Sequence, residues 1–378
     1  MSNGRKSHGL SWFLDSKFYR IYLLPGFVFQ SVVIAGGYGT GRELIEYFLQ
    51  YGPLGGILGM FLVTAVIWAV VLAASYEFAR VFKVYDYRSF FKKLLGPAWP
   101  IFEVCYVLLL FIVLAVVGAA AGAILRDTFG IPYIVGVSVM LLGVAFLAYL
   151  GSEAIAAYMS WWSFVLYAVY AAFVIFGLSK FGPQISQIIA TGDVRPGWVL
   201  SGFKYALYNL GCIAAVLFTL KDIETRGQAI VSGILSSLIT IIPGFLFYLV
   251  VLSGYPEVLK VEVPAYYALT QIGSFLLLAA YEVVLFGTLI ETGTGFIHAV
   301  NERLAGYFKE KDKVLTQAHR GLIALGMVLL SIAMSRFGLI GLIAKGYGTI
   351  SWGFFVAHVL PLLTIGLVMI ARAGGQKA

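Results

Sequence analysis

The chain has 378 residues, of which 61% are hydrophobic and only 12% are charged. A soluble domain needs more charge at its surface, so this composition excludes a soluble protein and indicates a helical protein that crosses the membrane several times. The net charge of +8 fits basic loops between membrane spans rather than a nucleic-acid interface. Both cysteines, Cys105 and Cys212, lie inside apolar runs, so we expect no disulfide framework.

Windows of about 20 apolar residues predict ten membrane spans, which we number 1 to 10 in chain order. The predicted bounds are 21–50, 54–79, 98–125, 131–150, 154–178, 199–220, 227–252, 274–302, 319–335 and 347–370. Eighteen Lys and Arg residues fall on the side of the amino terminus and seven on the other side. This bias predicts that both termini are cytoplasmic. Basic and aromatic residues alternate from Tyr85 to Leu95, which predicts an interfacial helix between spans 2 and 3.

The ten spans divide into two groups of five at a polar linker. Because each group has an odd number of spans, the second group must enter the membrane from the opposite side. The pattern therefore predicts an inverted repeat, as found in many secondary transporters. The predicted segments are a cytoplasmic tail 1–20, a first repeat 21–180, an external linker 181–198, a second repeat 199–371 and a cytoplasmic tail 372–378.

Glycines interrupt span 1, and a charged pair follows them: Gly36, Gly37, Gly39 and Gly41, then Arg42 and Glu43. Each glycine weakens a helix by roughly 1 kcal/mol relative to alanine. An alternative is that the helix ends at Gly36 and the charges lie in a solvated loop. Only residues 51–53 separate this run from the next span, however, so the glycines lie well inside the membrane. A broken helix there is tolerated mainly where it lines a cavity, so we predict one wall of a binding site.

The inverted repeat makes span 6 the counterpart of span 1, so span 6 should also be interrupted. Asn209 and Gly211 lie at its middle, in the run Tyr-Asn-Leu-Gly-Cys. A single glycine is a weak signal in a membrane helix, but its place in the symmetric partner strengthens it. The sequence therefore predicts an all-α membrane protein of ten helices with broken helices 1 and 6.

Three separated motifs resemble one family: the run Gly-Tyr-Gly-Thr-Gly-Arg-Glu-Leu-Ile-Glu-Tyr-Phe in span 1, Ile290–Gly293 in span 8 and Leu342–Gly348 before span 10. They are similar to the YkvI-like bacterial and archaeal membrane proteins, which are regarded as candidate amino-acid permeases. These are related to the amino acid–polyamine–organocation superfamily, which has the LeuT-type fold. The resemblance covers nearly the whole chain and implies a protein of a prokaryotic plasma membrane.

The resemblance also implies a substrate site between spans 1, 3, 6 and 8 and a cation site between spans 1 and 8. The chain departs from the metal-ion branch of this fold. Span 1 lacks the aspartate of that branch, and span 6 lacks its methionine.

The start of a half-helix presents free N–H groups and a positive dipole, which suit a substrate carboxylate. Arg42 could clamp a carboxylate or pair with Glu46, four residues further on. Glu43 could hold an ammonium group, titrate during transport, or pair with Arg42. The predicted substrate-binding residues are Gly36, Gly37, Tyr38, Gly39, Thr40, Gly41, Arg42, Glu43, Asn209 and Gly211.

Glu291 is the first candidate for ion coupling, because it lies deep in span 8. It could carry a proton, form part of an oxygen cage for Na⁺, or act as a structural hydrogen-bond partner. The predicted coupling residues are Val33, Gly36, Thr288, Glu291 and Thr292.

No cluster of nucleophile, base or metal ligands is present, so the sequence indicates neither an enzyme nor a metal site. His298 and His358 are interpreted as packed polar residues, and Trp161 and Trp162 receive no role. The predicted function is cation-coupled transport of a small amino acid, zwitterion or amine, with Na⁺ or H⁺ as the coupling ion and no cofactor. Alternatives are a metal-ion or other small-solute carrier or channel of the same fold, or a transporter-like membrane sensor. The expected partners are the substrate and the lipid bilayer.

Overall fold

The computed structural model describes residues 16–34, 36–150, 152–309 and 314–375, and all regular elements in these ranges are helical. Residues 1–15 and 376–378 of the two predicted tails lie outside the described residues. The uninterrupted spans are span 2 (Pro53–Phe82), span 3 (Pro100–Phe129), span 4 (Tyr133–Leu150), span 5 (Ser152–Ala190), span 7 (Arg226–Leu252), span 8 (Phe275–Lys309) and span 9 (Gln317–Ser335). Span 10 consists of consecutive helical segments from Gly338 to Gly375.

Spans 1 and 6 are divided, as predicted. Span 1 comprises the segments Tyr19–Leu23, Leu24–Val33, Gly36–Gly39 and Arg42–Tyr47, and span 6 comprises Trp198–Leu210, Gly211–Ala215 and Leu217–Asp222. Seven helices among the described residues are long and apolar enough to cross a membrane. The remaining three spans are the two divided ones and span 4, whose apolar part is Tyr133–Phe146. The architecture is therefore compatible with ten spans.

Span 5 is longer than its predicted bounds of 154–178. Its helix continues through Pro183 to Ala190, so the first half of the predicted linker 181–198 is helical. The side chain of Ile185 is buried, and Gln184 donates a hydrogen bond to the carbonyl of Ser253 at 2.9 Å. Packing of this extension outweighs the polar residues that suggested a linker.

Two short helices lie between spans. Tyr87–Leu95, predicted as interfacial, is a helix whose first turn is capped by Asp86, and it buries Phe90, Phe91 and Leu94. The loop between spans 7 and 8 contains the turn Glu257–Lys260 and the helix Pro264–Ile272, which we call the loop helix.

The two divided spans lie side by side. We call the side on which span 1 begins the N-terminal face and the other side the opposite face. The segment Leu24–Val33 packs against Gly211–Ala215, and Arg42–Tyr47 packs against Trp198–Leu210. At the N-terminal face, Arg20 pairs with Asp222 at 2.8 Å. The two interruptions therefore meet in the interior of the bundle.

Candidate functional site

The break in span 1 has two parts. The first helix ends at Val33, and Ile34 leaves helical geometry with φ −85° and ψ 63°. After the short turn Gly36–Gly39, Gly41 adopts φ +79°, a left-handed conformation that favours glycine because other residues meet a steric penalty there. Glycine therefore provides the backbone geometry of the second part of the break, at Gly41, whereas the first part begins at Ile34.

Protein groups already engage the backbone after the break. The N–H of Gly41 donates to the carbonyl of Tyr38 at 2.8 Å, and the N–H of Arg42 donates to Oγ1 of Thr40 at 3.2 Å. The carbonyl of Thr40 accepts a hydrogen bond from the N–H of Ala265 in the loop helix at 3.0 Å. Two of the N–H groups predicted to hold a substrate carboxylate are therefore occupied in this structure.

The Arg42 side chain is buried and joins span 1 to the loop between spans 7 and 8. Its Nη1 donates to the carbonyls of Leu259 and Val261 at 2.9 and 3.0 Å. Its Nη2 pairs with Glu46 at 3.0 Å, the alternative considered beside a substrate clamp. The guanidinium therefore serves as a structural connection here.

Glu43 is buried, with 5% of its surface exposed, and it accepts a hydrogen bond from the hydroxyl of Tyr208 in span 6. The ring of Tyr208 stacks on Tyr347 of span 10, with the centroids 4.6 Å apart. The ring of Tyr47 packs against Tyr208 at 5.7 Å. Within the described part of the chain, Glu43 has no ion-pair partner, so the pairing with Arg42 that the sequence suggested is not formed.

The two predicted residues of span 6 pack against neighbouring protein groups. Asn209 is buried and donates to the carbonyl of Tyr205 at 2.9 Å. At Gly211, a Cβ atom would overlap the ring of Phe354 in span 10. Asn209 lies at the end of the helix Trp198–Leu210 and Gly211 begins the next segment, and neither residue lines the cavities described next.

A cavity of about 300 Å³, which we call the polar cavity, lies between the first half of span 1 and span 8. It is lined by Gln30, Ser31, Val32, Ile34, Tyr106, Leu166, Tyr167, Ala215, Thr288, Glu291, Thr292, Gly295 and Phe296. Three predicted coupling residues, Thr288, Glu291 and Thr292, therefore line one cavity. Sequence analysis missed Gln30, although a polar side chain inside an apolar run was a usable signal.

Glu291 carries the negative charge of the polar cavity. Among the described residues, its carboxylate has neither a hydrogen-bond nor an ion-pair partner. The neighbouring Thr288 donates to the carbonyl of Val284 at 2.8 Å and accepts from Nε1 of Trp162 at 3.4 Å. Trp162, which received no role, thus contacts a predicted coupling residue, whereas the side chain of Trp161 lies outside the described residues.

Span 8 also contacts the break of span 1. The hydroxyl of Tyr281 donates to the carbonyl of Gly39 at 2.8 Å. A small pocket of about 30 Å³ lies at this junction, lined in part by Ile34, Tyr38, Gly39 and Thr288. The side chain of Val33 is buried in the core and lines none of the three cavities. Spans 1 and 8 therefore meet where the resemblance implied a cation site.

A second large cavity of about 370 Å³, which we call the apolar cavity, adjoins the polar one. It is lined by Gln30, Ile34, Leu166, Tyr167, Tyr170, Ala171, Val174, Ile175, Pro243 and Leu246. It lies between spans 1, 5 and 7. Sequence patterns did not indicate it, because it depends on how these three helices pack.

The described residues contain no group of three or more His, Cys, Asp or Glu side chains placed to hold a metal ion. His358 is buried between aromatic rings, with its Nε2 3.2 Å from the hydroxyl of Ser75. His298 is half-buried in span 8. Packing accounts for His358, as its sequence interpretation proposed.

No protein-family model matches the chain. The uncharacterized membrane protein YkvI of Bacillus subtilis is 24% identical over 306 residues, which cover 77% of this chain and 83% of YkvI.

Three solved structures are similar over almost the whole chain. MhsT in complex with L-phenylalanine has a TM-score of 0.58 at 16% identity, with 95% of this chain and 98% of MhsT covered. A mutant of the Eremococcus coleocola manganese transporter has a TM-score of 0.56 at 14% identity, with 96% and 81% covered. A Na⁺-coupled sialic acid symporter, in a substrate-bound outward-open state, has a TM-score of 0.59 at 12% identity, with 91% and 81% covered. The chain therefore has the LeuT-type fold, and two of these three structures are of a manganese transporter and a Na⁺-coupled symporter.

Proposed function

We propose that this protein is a cation-coupled secondary active transporter for a small amino acid or a related zwitterion or amine, working by alternating access. The proposal rests on Glu291, whose unpaired carboxylate faces a cavity beside the break of span 1 in a LeuT-type fold. An intramembrane carboxylate without a partner is costly when charged, so it should meet a proton, a metal cation or a cationic substrate during the cycle.

Properties of the similar solved proteins support this proposal. One is a Na⁺-coupled symporter, and another was solved with an amino acid bound. For coupling, the proposal is that Glu291 carries a proton or that it binds Na⁺ together with Thr288, Thr292 and the carbonyls from Val33 to Gly36. The substrate site is proposed at the break of span 1 and in the polar cavity.

The position of the polar cavity agrees with alternating access. Its lining residues in spans 1 and 6 belong to the halves nearer the N-terminal face: Gln30, Ser31, Val32, Ile34 and Ala215. In the other halves, Glu43, Tyr47 and Tyr208 are buried and in contact. We propose that the N-terminal face is cytoplasmic, as the distribution of basic residues predicts, and that this conformation is closed on the external side.

The test is Glu291→Gln, which preserves the size and polarity of the side chain but removes the charge and the titration. Uptake into liposomes is measured under separate pH and sodium gradients. In a proton-coupled carrier, the variant should exchange substrate when the substrate is saturating but lose accumulation driven by the pH gradient. In a sodium-coupled carrier, it should lose most of the sodium dependence of substrate binding.

Glu282→Gln is the matched control. Glu282 lies in the same span, accepts a hydrogen bond from Thr128 and lines none of the three cavities. The Glu282→Gln variant should retain gradient-driven uptake. If Glu291→Gln concentrates substrate as well as the unmodified protein under both gradients, the coupling role of Glu291 is refuted.

A further inference from the structure

The linings of the polar cavity, the apolar cavity and the small pocket contain a single formal charge. Among the described residues that line these three spaces, Glu291 is the only acidic side chain, and none is Lys, Arg or His. A cation does lie behind one wall, because the guanidinium of Arg303 stacks on Tyr106 with 4.0 Å from Cζ to the ring centroid. Arg303 also pairs with Glu103 at 3.5 Å, so its charge is already matched. The lining is therefore suited to a positive charge.

The polar and apolar cavities form adjoining compartments. They share the lining residues Gln30, Ile34, Leu166 and Tyr167. Beyond this junction the apolar cavity is walled mainly by hydrocarbon, and the hydroxyl of Tyr170 there is satisfied by the carbonyl of Pro243. A ligand that reaches both compartments must carry a polar group at one end and an apolar group at the other.

The apolar cavity reaches the outer surface of the bundle. Tyr167 and Ile175 are exposed large side chains of span 5, with 50% and 62% of their surface exposed, and Ala171 between them is also exposed. In a membrane-spanning helix such a face contacts lipid, and an apolar space beside it offers water no hydrogen-bond partners. An apolar group of a ligand is a better occupant, because its transfer from water is favourable.

We propose that the two cavities together bind an organic monocation with an apolar body, its ammonium group at Glu291 and its hydrocarbon part in the apolar cavity. This inference rests on the proposed function and narrows its substrate class to amines rather than zwitterions. The carboxylate of a zwitterion would lie in the same compartment as the Glu291 carboxylate, with no lining cation to balance it. Charge complementarity thus selects against the zwitterion.

The first experiment compares phenethylamine with L-phenylalanine, which share the ring and the amine and differ in the carboxylate. Binding is measured by calorimetry on the full-length protein in nanodiscs of phosphatidylcholine and phosphatidylglycerol. Phenethylamine should bind at least 10-fold more tightly. Equal affinity, tighter binding of L-phenylalanine, or no binding of either compound overturns the proposal.

The second experiment compares two substitutions on span 5. Ala171→Phe inserts a ring into the apolar cavity, whereas Ala168→Phe is a matched control at an exposed alanine that lines none of the three cavities. Ala171→Phe should weaken phenethylamine at least 5-fold and leave ethylamine unchanged, because ethylamine does not reach the apolar cavity. Ala168→Phe should change neither affinity. The same loss in both variants, or in neither, refutes the use of the apolar cavity.

Glu291→Gln separates this inference from the proposed function. It should weaken phenethylamine and ethylamine alike by at least 10-fold, while its unfolding temperature confirms that it folds. If the variant loses gradient-driven uptake but phenethylamine binds no better than L-phenylalanine in the unmodified protein, the amine inference fails and the transporter proposal stands. If amines bind as expected but the variant still concentrates substrate, the coupling proposal fails instead.

Discussion

Replacing Arg42 tests whether its main role is to connect span 1 to the loop between spans 7 and 8. The guanidinium contacts the carbonyls of Leu259 and Val261 and the carboxylate of Glu46, and its own side chain is only 5% exposed. Arg42→Gln removes the charge and cannot reach all three partners. Arg42→Lys keeps the charge but loses the planar geometry that allows several directed hydrogen bonds at once.

The expected loss of stability follows from the buried groups that the substitution leaves without a partner. Hydrogen bonds to a charged group are worth about 1.5–3 kcal/mol each, and breaking a buried ion pair by removing one partner costs about 3–5 kcal/mol. These contributions overlap, so we expect Arg42→Gln to lower the free energy of unfolding by about 3–5 kcal/mol, and Arg42→Lys by less. Arg20→Gln is the control, because the Arg20–Asp222 pair is 51% and 38% exposed and should contribute about 0–1 kcal/mol.

Unfolding is measured in detergent, and the position of the loop is measured by labelling. Val258 is fully buried in the turn Glu257–Lys260, so a cysteine at Val258→Cys should be protected from a membrane-impermeant maleimide. Adding Arg42→Gln should expose it. If stability matches that of the Arg20→Gln control and the cysteine stays protected, Arg42 does not hold the loop.

Two further predictions concern the packed interruptions. Gly211→Ala should destabilise the protein by about 1–3 kcal/mol, because the added methyl group overlaps the ring of Phe354. Gly348→Ala is the control, because the space around its added Cβ is open, and it should be neutral or stabilising. Both variants are measured by thermal unfolding. Tyr208→Phe should lower the free energy of unfolding by about 1–3 kcal/mol, because it leaves the buried Glu43 without its hydrogen-bond donor. The loss should be clearly smaller in a Glu43→Gln background. Equal losses in both backgrounds would contradict a functional hydrogen bond between the two residues.

The interruption of span 1 could be predicted because its cause is local. Glycine spacing weakens the helix at the residues concerned, and Gly41 takes the left-handed conformation that glycine permits. Hydrophobic runs likewise determined the spans, because a membrane requires a minimum apolar length. The helix of span 5 continues beyond its predicted end, since the polar residues after it suggested a boundary that tertiary packing overrides.

The partners of the charged residues could not be predicted, because they come from distant parts of the chain. Arg42 bonds to carbonyls more than 200 residues away, and Glu43 meets a tyrosine of span 6. The pairing of Arg42 with Glu46 was one of the two alternatives that the sequence offered, since helical spacing alone brings these residues together. The cavities were also beyond sequence reasoning, apart from Glu291 and its two threonines, because their walls come from several spans.

The distribution of strong contacts indicates which part of the molecule must rearrange if access alternates. Three contacts lie near the opposite face. Arg42 donates hydrogen bonds to the loop between spans 7 and 8, and the hydroxyl of Tyr208 donates to Glu43. The hydroxyl of Tyr47 donates to the carbonyl of Ile343 in span 10 at 3.1 Å. These contacts join the second half of span 1 to spans 6 and 10 and to the loop between spans 7 and 8. Opening the opposite face would separate several of these contacts together. It is costly because each buried polar group then loses its partner inside the membrane. The ligand that we propose to bind near Glu291 would favour that change only by contacting the open and closed arrangements differently. The break of span 1 begins at Ile34, which lines the same cavity as Glu291, and it ends directly before Arg42. It also contacts span 8 through Gly39 and Tyr281, so we propose that it transmits such a difference.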